Sequence, residues 1–128
     1  MTPQELEARL IQFAVKMIEI SESLVKTKAG LHLSGQIARS GISPALNYAE
    51  AQDAESHKDF VHKMKIVLKE LRETLVALKI IQNAGLSKPE VNIGCALDEC
   101  NQLVAIFVKS VATAKHNRSI IDVKKSQI

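Results

Sequence analysis

Between Gln36 and Glu73 the polar residues of this chain fall into register instead of scattering. Gln36, Arg39, Ser43, Asn47 and Glu50 follow one another at steps of three or four, which lines their side chains along one side of a helix. A second row, His62, Lys65, Lys69, Arg72 and Lys79, follows on the next helix and is basic. Arg39 presents five donors in a planar fork, suited to a carboxylate such as Glu50, Glu70 or Glu73, or to a phosphate. The favoured reading is an internal network. In it Asn47, Ser43 and Glu50 satisfy helix two and pair with Lys69, Arg72 or the Asp59 end of helix three, because a carboxylate beside a base more often fixes register than performs chemistry.

The basic row points to polyanions. From His57 to Ala84 the bases Lys58, Lys63, Lys65, Lys69, Arg72 and Lys79 outnumber the acids Asp59, Glu70 and Glu73. The C-terminal segment adds Lys115, Arg118, Lys124 and Lys125 against Asp122. Such rows attract phosphate backbone at low salt. The formal charge of the whole chain is only +3, however, and its aromatics fall mainly at core positions, leaving no stacking platform for bases. Any RNA contact is therefore expected to be to backbone and shape.

Catalytic patterns are weak. Glu70 and Glu73 lie three apart and Glu50 could face them, but the Glu-x-x-His spacing of di-iron bundles is absent. His32, His57, His62 and His116 make no pair at ligand spacing, and there is no phosphate loop or nucleophile motif. The expectation is a non-enzymatic protein with no metal and no cofactor. Cys95 and Cys100 are five positions apart, roughly 140° around a helix, so both are read as small buried hydrophobes and not as a disulfide.

The elements that must position these rows are helical. The chain has 128 residues, 46% hydrophobic and 24% charged, with few Gly, Pro or aromatic residues, which gives one domain over 1–128 with an aliphatic core. Thr2-Pro3-Gln4-Glu5 is a capping box, followed by Leu6, Leu10, Phe13, Met17, Ile20 and Leu24 at alternating fours and threes. The spacing predicts helices over roughly 3–27, 31–52, 56–84 and 88–120, the first ending near Gly30 and the last opening on a second capping box, Ser87-Lys88-Pro89-Glu90, and fraying into a basic tail. Pro44 predicts a kink near Gly41. Helix four is expected to bury Ile93, Leu97, Cys100, Val104, Phe107, Val111 and Ala114. Four such helices joined by short connections predict an all-α, antiparallel up-and-down four-helix bundle.

Ile11, Ala14, Ile18 and Val25 on helix one, and Leu103, Ile106 and Val108 on helix four, widen the apolar faces beyond a single seam, which predicts contacts between copies of the chain. No window is apolar enough to span a bilayer, and Met1 leads into a capped helix, so a cytoplasmic protein without membrane contact is expected.

The run Gln36-Ile37-Ala38-Arg39-Ser40-Gly41-Ile42-Ser43-Pro44-Ala45-Leu46-Asn47-Tyr48-Ala49-Glu50-Ala51, with Ser56, Asp59-Phe60 and Lys69-Glu70-Leu71-Arg72-Glu73-Thr74, resembles the signature of the four-helix bundle proteins named for intervening sequences in large-subunit ribosomal RNA genes. The resemblance covers about a third of the chain; Ala51, often Gly in the family, and a proline one position late depart from it. It implies a left-handed bundle assembling into a ring-like homo-oligomer, typically a pentamer, without cofactor or established enzyme chemistry. It also implies association with ribosomal or other structured RNA, since some members are encoded within ribosomal RNA genes and a distant relative binds nucleic acid. Gln36, Arg39, Ser43, Asn47, Glu50, Asp59, Glu70 and Glu73 are the matched polar residues. Lys65, Lys69, Arg72, Lys79, Lys115, Arg118, Lys124 and Lys125 are the candidate phosphate contacts. The alternative is a scaffold that presents the helix-two and helix-three surface to a protein partner.

Overall fold

A computed structural model describes residues 1–126, with side chains described through Asn117. Four helices follow in order: α1 (Pro3–Ser23), α2 (Lys28–Gln52), α3 (His57–Ala84) and α4 (Ile93–Ser126). There is no strand among the described residues. α1 packs on α2, α2 on α3 and α3 on α4, whereas α1 and α4 meet sparingly. The result is a four-helix bundle.

The helix ends follow local chemistry. Thr2 and Glu5 form the expected capping box, each backbone N–H donating to the other's side chain at 3.1 Å. Ser56 accepts from Asp59 N–H at 3.0 Å to open α3, and Gly85 closes it in the left-handed region with φ 64°.

Two boundaries differ from the sequence expectation. α1 stops at Ser23, and Gly30 lies inside the first turn of α2, whose N-cap is Thr27, accepting from Gly30 N–H at 3.1 Å. Gly30 serves close approach instead of a helix end, since a Cβ there would collide with the Val25 carbonyl oxygen. α4 begins at Ile93, not Lys88. Lys88–Val91 forms a turn closed by Val91 N–H to Lys88 O at 3.1 Å, and the Asn92 side chain accepts from Cys95 N–H at 2.9 Å. The Ser87 box therefore gives way to an Asn92 cap. At this end of the bundle Val25 N–H donates to Leu86 O at 3.0 Å, tying the α1–α2 connection to the α3–α4 connection.

The core is aliphatic around Phe13, Tyr48 and Phe107, as composition implies. All six predicted α1 positions are buried. On α4 the buried row is Ile93, Ala96, Cys100, Leu103, Phe107, Val111 and Ala114, so Leu97 and Val104 are displaced to half-buried flanks. Leu103, expected on an outer face, is core. α2 passes through Pro44 as one uninterrupted helix. Just before it, Gly41 lets α1 approach closely, because a Cβ there would overlap the Met17 Cβ and Cγ.

Candidate functional site

Arg39, near the middle of α2, reaches across to α3 and grips two carboxylates. Its Nη1 lies 3.4 and 3.2 Å from the two Glu70 oxygens, and its Nη2 lies 3.0 Å from Glu73 Oε2. The spacing of three between Glu70 and Glu73 is what allows both to face one guanidinium. Glu70 is buried while Arg39 keeps an exposed edge. The hydrogen bond to Glu73, then the charge of Glu70, pushes the Arg39 pKa above its ordinary value. The fork is thus occupied by protein carboxylates.

Beneath this clasp lies a pair that the sequence reading left unassigned. Thr74 Oγ1 stands 2.9 Å from Ser40 Oγ and 2.8 Å from Glu70 O, and both hydroxyl residues are fully buried. One proton cannot serve both acceptors at once. Thr74 donates to one and the Ser40 hydroxyl completes the pair, giving α2 and α3 a specific register where apolar contact alone allows sliding. A polar residue between Leu71 and Leu78, on the buried stripe of α3, was the available signal.

The other matched polar residues divide into separate groups. Asn47 Nδ2 donates to Ser43 O at 3.0 Å and contacts Ser43 Oγ at 2.9 Å, within α2. Glu50 is taken by Lys63 at 2.7 Å, and neither Lys69 nor Arg72 enters the network. That hydrogen bond, with the charges of Glu50 and Asp59, raises the Lys63 pKa. Gln36 stands at a groove of about 530 Å³ between α2 and α3, lined also by His32, Leu33, Arg72, Glu73, Val76 and Ile80. Among the described residues no cluster of three or more His, Cys, Asp or Glu could hold a metal ion.

The basic row is real as a surface. Lys58, His62, Lys65, Lys69, Arg72 and Lys79 are all exposed on α3. From Lys58 to Lys79 the row extends about 31 Å, at 1.5 Å of rise per residue. None of the five Lys and Arg side chains in it has a salt bridge within the described residues. Lys115 is exposed on α4; Arg118, Lys124 and Lys125 have side chains outside the described residues.

The cysteines part company. Cys100 is buried, its thiol donating to Leu71 O at 3.4 Å and its pKa pushed up to about 12 by burial and, secondarily, Glu99. Cys95 is exposed, correcting the expectation that both would be buried. On a helix whose buried stripe passes through Ala96, position 95 turns outward.

A four-helix bundle with an arginine–dicarboxylate clasp across its second and third helices and a bare cationic ridge on the third is the class of protein these features define. Residues 5–109 match the family of 23S rRNA-intervening sequence proteins, and the chain belongs to that family. A crystal structure of a protein of unknown function from the S23 ribosomal protein family, from Bacteroides thetaiotaomicron, is similar at 26% identity and a TM-score of 0.77 over 88% of this chain and 99% of that one. No curated protein matches the chain. No helix among the described residues is long and apolar enough to cross a membrane.

Proposed function

We propose that this protein is a non-enzymatic, oligomeric accessory of structured RNA, ribosomal RNA foremost, gripping phosphate backbone through the exposed face of α3. The observation that carries this reading is the unpaired cationic ridge Lys58, Lys65, Lys69, Arg72 and Lys79. An isolated lysine is ordinary surface. A ridge whose neighbouring carboxylates, Glu50, Glu70 and Glu73, are already committed to Lys63 and Arg39 keeps its field for an outside partner. Lys115 of α4 and Arg118, Lys124 and Lys125, whose side chains lie outside the described residues, are further candidate contacts within this proposal. Assembly of antiparallel, left-handed bundles into a ring, of the pentameric kind, repeats the ridge and multiplies weak contacts through effective concentration. Family membership supports an RNA connection, and a cytoplasmic setting is part of the same proposal.

The test is binding of purified protein to a structured ribosomal RNA fragment across a salt series. Affinity is expected to fall by about 0.9 log units per tenfold rise in salt for each phosphate neutralised, and Lys65→Glu/Lys69→Glu should flatten that slope and weaken binding at least about tenfold. Salt-insensitive binding, or equal binding by the double variant, overturns the reading.

A second reading is a protein-interaction scaffold, favoured by one feature: Leu33, Val76, Ala77 and Ile80 give the groove beside Glu73 a mainly apolar lining next to the charged ridge. A partner bound there would tolerate salt and be lost in Val76→Glu while Lys65→Glu/Lys69→Glu retained it.

A further inference from the structure

Where α1 and α4 separate, a cavity of about 760 Å³ opens toward the end of the bundle that holds Thr2 and His57. Its size is that of small-molecule sites. Its walls are mainly apolar, with Leu6, Phe60, Met64 and Ile106, and Lys109 stands among the lining residues from α4. Tyr48 also lines it, from deep in the core: the residue is only 4% exposed.

The Tyr48 hydroxyl has no hydrogen-bond partner among the described residues, yet no buried side-chain oxygen is left unsatisfied. Both hold together only if the hydroxyl reaches solvent, and the cavity is where Tyr48 meets it. The ring is held edge-on to Phe107 at 5.6 Å and 87°, so core packing fixes the direction of the C–O bond and the position of the hydroxyl oxygen. Desolvation, assisted by the charge of Glu7, raises the Tyr48 pKa, and the phenol keeps its proton at neutral pH. The cavity therefore offers one preorganised donor in an apolar setting. Two other lining residues, His57 and Phe60, stack their rings at 5.9 Å and 27°. His57 Nε2 is tied to Ala114 O at 2.9 Å, which holds the imidazole in place.

We propose that this cavity binds one small amphipathic molecule, its apolar body against Phe60, Met64 and Ile106 and its carbonyl oxygen accepting a hydrogen bond from the Tyr48 hydroxyl. The site is separate from the α3 ridge and does not depend on RNA binding.

The neutral naphthalene ketone dye prodan has this chemistry and reports it, because hydrogen bonding to its ketone shifts emission to the red. Titration of the full chain should saturate at one dye per chain. Tyr48→Phe, which removes a hydroxyl that no protein group uses, should leave the melting temperature unchanged, weaken the dye about five- to tenfold and shift its emission to the blue. Ser110→Trp, which puts a large side chain at a lining position, should abolish binding. Failure to saturate, equal affinity and emission in Tyr48→Phe, or dye retained by a folded Ser110→Trp protein each overturns the proposal.

Discussion

At the scale of single residues, function and stability turn on which polar groups are already spent. Arg39 is spent on Glu70 and Glu73, whereas Lys65, Lys69 and Arg72 carry no salt bridge among the described residues and are the side chains the RNA proposal rests on. The two cysteines give a sharp check. Cys95 should react with a disulfide reagent in the native protein and Cys100 only on unfolding, as followed by mass spectrometry. The buried thiol also makes stability depend on pH. With its folded pKa raised from 9.0 to about 12, Cys100 stays protonated while the unfolded chain ionises, so the unfolded state binds fewer protons above pH 9 and stability falls as pH rises from there toward 12. The loss is about 1.4 kcal/mol per pH unit across that window, and Cys100→Ala, less stable at neutral pH, should lack this part of the slope in urea melts.

At the scale of elements, each helix boundary rests on one or two nameable contacts. Asn92→Ala should cost about 1 kcal/mol through loss of the α4 cap, whereas Ser87→Ala should be near neutral; equal costs would restore the Ser87 start. Gly41→Ala should cost about 1–3 kcal/mol in chemical denaturation, because the methyl group meets the Met17 Cβ and Cγ at the root of that side chain, where a rotamer change gives no relief. The sequence made the helices legible because a period of 3.6 recurs through each of them. It misplaced the start of α4 because two cap signals, Ser87 and Asn92, stand five residues apart and only the Lys88–Val91 turn decides between them. It misassigned Leu97 and Val104 for a related reason: steps of three and four from Ile93 generate two neighbouring stripes, and packing against α3 selects the one through Ala96 and Leu103.

At the scale of the whole molecule, apolar surface remains after the core is filled. Ile11, Val15 and Ile18 are exposed at positions that share one face of α1, and Leu31 and Leu46 are exposed on α2. The α1 row flanks Ala14 and Ser21, and Ser34 of α2 donates to the Ser21 carbonyl at 2.8 Å, so this face borders α2. Of the residues expected to widen the faces, Ile11, Ile18 and Val108 are exposed, Val25 and Ile106 half-buried, and Ala14 and Leu103 core. A second copy is the occupant that fits the oligomer proposal. Light scattering should report a multimer for the native chain and a monomer for Ile11→Glu/Ile18→Glu; an unchanged mass for that folded variant would move the interface elsewhere.

The sequence by itself determined the helices, most of the core, the existence of the α3 cationic row and the family, because periodicity, caps and an ordered motif are local properties that survive without coordinates. Tertiary structure alone decided the partners. Glu50 goes to Lys63 and Glu70 and Glu73 go to Arg39, because which carboxylate meets which base depends on the crossing and register of α2 and α3. The same holds for the Ser40–Thr74 pair, for the exposed Cys95 and for the cavity into which Tyr48 opens, since each is set by how the helices are rotated and spaced against one another, which depends on how whole side-chain volumes fill the space between them.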